Sequence, residues 1–289
     1  MSFLNLDLLG TAKQEKHHVC VNPLYNEKRN AYLDGLYDTW ELVSNVENPY
    51  LGPASLARFG IKCHNLLQES SFVEVPYATK FFRRMPHGKL QEYLIDMDDE
   101  ETVCCISDEK DLWGLNTQVL RELDSVMLAA TICTALGLAF NAYERKTSDG
   151  QQVTLRQISG WKKADFGLGI FHDVFYDDIF HSKHWYPEDA WQSGKPKDQP
   201  HVMFTLAHEY EVKDNSLLRG EVMALSIMGG RKGRVLQAYF ADEGLVIFKS
   251  RLFLFAGEED GKTSSEFFLQ YMGSEIFGDT AVTETPSIL

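Results

Sequence analysis

VMALSIMGGRKGRVLQAYFADEGLVIFKSRLFLF, residues Val222–Phe255, is the stretch whose reading decides the fold. It holds three apolar runs, Val222–Met228, Arg234–Phe240 and Leu245–Phe255. They are rich in β-branched and aromatic side chains, which fit a pleated, half-buried surface. Gly229-Gly230-Arg231-Lys232-Gly233 and Ala241-Asp242-Glu243-Gly244 separate them. Connections that short, with glycine free to take a positive φ, join neighbouring antiparallel strands. The stretch therefore reads as an antiparallel meander. A closing helix is expected over Ser264–Ile276, and residues 279–289 read as a disordered tail.

Upstream the period changes. Tyr32, Leu36, Trp40 and Val43 recur at helical spacing, so a helix is expected from Glu27 to Val46, ended by Asn48-Pro49. A second helix is expected from Pro53 to Gln68, weakened by Gly60 in its interior. Phe72–Val75, Tyr93–Ile95 and Thr102–Ile106 read as strands, with Asp96–Glu101 as a hairpin turn. Ser107 reads as the N-cap of a long helical region that ends near Tyr143, apolar nearly all round through Val126–Phe140 and so central to the fold. Val153–Ile158 reads as a strand. Over Val202–Val212 the alternation suits a strand, while Asp198, Pro200 and Asn215 suit the ends of a helix; the helix is the reading preferred. The topology of 151–215 stays open. Together these elements predict an α+β protein, an antiparallel sheet packed against helices, as a single main domain over 25–278 behind a mobile arm at 1–24.

Composition limits the partners. The chain has 289 residues, 44% hydrophobic and 12% aromatic, enough for a sizeable core. Its formal net charge of -14 repels phosphate backbones and anionic lipid, so neither duplex nucleic acid nor a membrane surface is expected as partner. No stretch approaches the about 18 apolar residues of a membrane span. The five cysteines, two of them the adjacent Cys104 and Cys105, contain no CxxC and read as reduced thiols of a cytoplasmic protein.

The densest polar cluster runs from His172 to His184, with three of the nine histidines and three aspartates. On a helix, Asp173, Asp177 and His181 would stand one turn apart on one face, a spacing that can hold a divalent metal. His172, Asp177 and His181 are the catalytic candidates on this reading. Trp161, Phe175, Tyr176, Trp185 and Trp191 would line an aromatic pocket around them, with a small molecule as the substrate. The blander reading is an aromatic amphipathic helix whose polar side is solvated. A second pattern, Pro187-Glu188-Asp189 followed by Glu211-Val212-Lys213, resembles the PD-(D/E)xK nuclease motif. Asp189 and Glu211 would hold magnesium and Lys213 would orient a water. It requires Glu211 and Lys213 on a strand. Lys163-Ala164-Asp165-Phe166-Gly167 matches the kinase DFG segment, but no HRD, APE or glycine-rich loop accompanies it.

The segments VMALSIMGG, RVLQAYFADEGLVIFKSRLFLF and FFLQYMGSEIFGD, between Val222 and Asp279, resemble the C-terminal part of a family of uncharacterised proteins of filamentous fungi. The resemblance implies a sheet-plus-helix ending and no activity. The expectations are thus an enzyme acting on a small molecule in an aromatic-lined pocket, cofactor-independent or metal-assisted. The alternatives are a non-catalytic protein that binds another protein, and a PD-(D/E)xK-like nuclease.

Overall fold

The computed structural model describes residues 23–67, 81–114, 124–164, 185–194, 201–223, 226–229 and 231–276. The arm at 1–22, the strand expected at Phe72–Val75 and the tail beyond residue 276 lie outside them. The helices are α1 Pro23–Ser44, α2 Pro53–Arg58, α3 His87–Glu92, α4 Glu100–Gly114, α5 Ser125–Asn141, α6 Leu155–Ser159, α7 Arg219–Met223 and α8 Glu258–Met272. The strands are β1 Tyr50–Leu51, β2 Ile61–Asn65, β3 Phe82–Arg83, β4 Leu94–Ile95, β5 Arg145–Lys146, β6 Gln152–Val153, β7 Trp161–Lys163, β8 Trp185–Ser193, β9 Val202–His208, β10 Leu217–Leu218, β11 Ser226–Gly229, β12 Lys232–Ala241, β13 Gly244–Lys249, β14 Phe253–Leu254 and β15 Glu275–Ile276.

The protein is α+β. The meander forms as expected: β11 pairs antiparallel with β12, and β12 with β13, across a turn in which Gly244 has φ 97°. These strands occupy the middle of an eight-stranded sheet in the order β2-β13-β12-β11-β9-β8-β7, with β14 also paired to β12. Two ladders are parallel, β11 with β9 and β13 with β2, so the sheet is mixed rather than wholly antiparallel. One face is covered by α5 and α8 over a core that includes Ile132, Leu136, Phe140, Trp191, Phe248, Phe253 and Phe268. On the other face a smaller core of Val43, Leu51, Leu56, Leu217, Leu236 and Ile247 gathers under α1 and α2.

Several sequence expectations give way. Thr102–Ile106 is helical. The Asp99 carboxylate accepts the Thr102 N–H at 2.8 Å, and Glu100 and Glu101 occupy the first turn of α4, where the helix dipole favours them. That local cap outweighs the β-branched Thr102-Val103 pair, and Ser107 falls inside the helix. Likewise Val153–Ile158 is mostly α6. Thr154 and Gln157 form a reciprocal capping box, Gln157 N–H to Thr154 Oγ1 at 3.3 Å and Thr154 N–H to Gln157 Oε1 at 2.7 Å. The helix expected at Pro53–Gln68 stops at Arg58, because Gly60 turns the chain at φ 69° into β2. Val202–His208 is a strand, not a helix, held by backbone ladders to β8 and β11 on its two sides. The closing helix starts at Glu258 and ends at Met272, and Ile276 belongs to β15.

On the smaller core's side one ion pair is wholly enclosed. Arg234 Nε stands 2.6 Å from Glu221 Oε1, and both side chains are fully buried. Glu221 Oε2 accepts the Leu218 N–H at 2.5 Å, while Arg234 Nη2 donates to the carbonyls of Lys213 and Ser216 at 2.8 and 3.1 Å. The pair therefore staples the 213–218 loop to β12. Removing one partner leaves an uncompensated buried charge, which costs about 3–5 kcal/mol, whereas replacing both with apolar residues of similar size costs far less. Glu221→Gln and Arg234→Met should each lower stability by about that amount. Chemical denaturation should find the double variant Glu221→Leu/Arg234→Met more stable than either.

Candidate active site

Pro187 sits in the middle of β8 and has no N–H to give the ladder, so the strand bulges there. Pro187 faces Leu206 and Asp189 faces Thr205, which leaves Glu188 as the extra residue. In a regular strand two consecutive acids would point to opposite faces. Here the bulge sets the half-buried Glu188 beside Asp189, whose carboxylate lies against α5. The Asp189 N–H donates to Thr205 Oγ1 at 3.2 Å, which fixes the bulge to β9.

The helix completes the arrangement. α5 starts at the Asp124 cap and carries no Asp, Glu, Lys, Arg or His. It crosses β8 at Gly137, where an added Cβ would collide with the Asp189 carboxylate. Asp189 also faces Lys163 of β7, Nζ to Oδ1 3.2 Å, and its side chain is 18% exposed. Glu188 is half-buried. Burial first, and then the Asp189 charge, push its carboxyl above the ordinary glutamate range. Burial likewise pushes the Cys133 thiol well up, so it stays protonated and is no nucleophile. Two adjacent acids thus sit in unlike settings, one inclined to keep its proton and one held against an ammonium group.

The other candidates from the sequence fall as follows. His172, Asp173, Phe175, Tyr176, Asp177 and His181 lie outside the described residues, as does the Trp185 side chain. The chain leaves toward them from Ala164, whose N–H bonds the Ala190 carbonyl at 2.9 Å, and returns at Trp185 opposite His208. Trp161 and Trp191 share a face of the sheet with Asp189 but are packed in the core. Trp191 meets Phe140 edge-on at 5.3 Å and gives its indole N–H to Asn141 Oδ1 at 2.8 Å.

Asp189 is not brought together with Glu211 and Lys213. These two follow β9, beyond the ~10 Å of strand that separates Thr205 from His208. Glu211 is bound to Lys232 at 2.5 Å, which lowers its pKa, and Lys213 Nζ stands 3.8 Å over the Tyr50 ring. Among the described residues no group of three His, Cys, Asp or Glu side chains converges as a metal site requires, and no helix is long and apolar enough to cross a membrane.

Glu188, Lys163, Thr205 and Gly137 are the residues that sequence reasoning passed over as a group. Pro187 before two acids was the available signal, because a proline inside a strand marks an edge or a bulge. No family model, no curated protein and no solved structure matches the chain.

Gly137→Ala tests the geometry. Alanine favours a helix by up to about 1 kcal/mol over glycine, but here its Cβ must displace the Asp189 carboxylate. Denaturation should find Gly137→Ala less stable than wild type by about 1–3 kcal/mol. Gly137→Ala combined with Asp189→Gly should recover most of the loss.

Proposed function

We propose that the protein is an enzyme that transfers a proton to and from a small molecule at the Glu188–Asp189 pair. The observation that carries this reading is the inequality of the two carboxyls: Glu188 is half-buried and pushed up, while Asp189 is tied to Lys163. Glu188 is then the general acid: it gives its proton to an oxygen or nitrogen of the small molecule, and the carboxylate left behind takes a proton back from it as the molecule rearranges. Asp189 keeps Lys163 at the site and holds the second carboxylate beside the acid. Thr205 and Gly137 position Asp189 without touching the substrate. No metal is needed for these steps, and a metal-assisted variant would draw on Asp173, Asp177 and His181.

One observation favours a second reading, a non-catalytic protein that binds a protein partner. Leu36, Tyr37 and Leu42 of α1 are 38%, 44% and 50% exposed. On that reading the acid pair is dispensable, and a polar substitution of Leu36 and Tyr37 would abolish the interaction.

Screening against esters, glycosides, phosphoesters and keto–enol substrates tests the first reading. Any turnover should fall about 10²–10⁴-fold in Glu188→Gln while the protein stays folded. The activity should also fall as pH rises through the Glu188 pKa, since the acid form is the working one. Turnover equal to wild type in Glu188→Gln would contradict the proposal.

A further inference from the structure

Trp161, Ser193 and His201 make one row across three adjacent strands. Trp161 is the register partner of Ser193 in the β7–β8 ladder, and the Ser193 N–H donates to the His201 carbonyl at 3.0 Å. Facing residues of a ladder project from the same side of the sheet. The row therefore runs indole, hydroxymethyl, imidazole, with the two rings' Cα atoms roughly 10 Å apart. A small side chain between two large rings leaves a slot.

Phe82 fills it. Its ring is stacked on Trp161 at 6.4 Å and 15°, and meets His201 edge-on at 4.9 Å and 63°. A phenyl ring offers no ordinary hydrogen bond to either neighbour. Trp161 Nε1 and His201 Nε2 are both buried with no hydrogen-bond partner among the described residues, in residues only 2% and 8% exposed. Buried polar groups are nearly always paired, and an unpaired one destabilises the fold. Trp191, two residues along β8, shows the ordinary outcome with its bond to Asn141.

The plug packs against the main core, but the strand that carries it is short. Phe82 belongs to the two-residue β3, whose ladder partner is the two-residue β15. The ion pair beside it, Arg83 to Glu275 at 3.5 Å, is exposed on both sides and worth little. Burial pushes the His201 imidazole down to about 4, so it is neutral around pH 7 and gives a charged ligand no counter-ion.

We propose that this slot is a binding site for an uncharged planar ring with a hydroxyl or carbonyl on its edge, which enters by displacing Phe82. The ring takes over the face against Trp161, and its polar edge pairs with His201 Nε2, which the edge-on Phe82 leaves without a hydrogen bond. The site is separate from the acid pair. Ser193 and Asp189 are four residues apart on β8, roughly 13 Å, and Trp191 stands between them.

Phenol and benzene distinguish this from an apolar hole. In wild-type protein labelled with ¹⁵N at its tryptophans, phenol should move the Trp161 indole signal, assigned with Trp161→Phe, in a saturable way. Benzene should leave that signal unmoved. Phe82→Ala opens the slot, and there phenol should bind about 3–10-fold more tightly than benzene, the worth of one net hydrogen bond. A Trp161 signal that phenol does not move in the wild type, or a Phe82→Ala variant that takes benzene as tightly as phenol, would overturn the site. Should Phe82→Ala fail to fold, the wild-type titration decides.

Discussion

The contact between α5 and the sheet sets the position of everything the functional reading uses. α5 has 17 residues without an Asp, Glu, Lys, Arg or His, and it buries Leu128, Ile132, Cys133, Leu136 and Phe140 against β8, β9, β11 and α8. An apolar helix pressed on an apolar sheet is driven by area removed from water, about 25 cal/mol per Å². That force has no direction of its own. Direction comes from the one point where a side chain is missing, Gly137, which admits the Asp189 carboxylate where any larger residue would exclude it.

From this contact the electrostatics follow. One carboxylate is pressed on a helix and reaches an ammonium group at the sheet's outer strand, while burial and that neighbouring charge push the bulged Glu188 upward. The same logic runs through the opposite layer with a different outcome. There Arg234 and Glu221 face each other at 2.6 Å, and each also bonds the backbone of 213–218. A buried ion pair that also holds the backbone is architecture, whereas a partly buried acid pair in unlike settings suits chemistry.

The middle of the fold was legible because its signals are local. Gly-rich connections between β-branched runs give the meander, and the charge-free run around Val126–Phe140 gives the central helix. The errors also have local causes that compete with propensity. Asp99 captures the Thr102 N–H and turns a β-branched stretch into α4. Thr154 and Gln157 cap α6 where a strand was expected. Pro200 and Asn215 look like helix ends around β9, whose strand conformation is instead imposed by neighbours on both sides. The candidate site was less legible for a different reason. Asp189 was singled out for a nuclease-like site, and Trp161 and Trp191 for the wall of an aromatic pocket. Only cross-strand register and the crossing of α5 put Asp189 against Lys163 and Gly137, and neither is written in the spacing of the residues. Trp191, chosen as a pocket wall, is a core side chain because Asn141 and Phe140 meet it from α5.

The account stands on Glu188 being the acid that holds its proton. Following its side-chain carboxyl carbon by ¹³C NMR through a pH titration measures this directly. The account predicts a midpoint above the ordinary glutamate value of 4.5, moving downward when Asp189→Asn removes the neighbouring charge. A midpoint at or below 4.5, unmoved by that substitution, would contradict it.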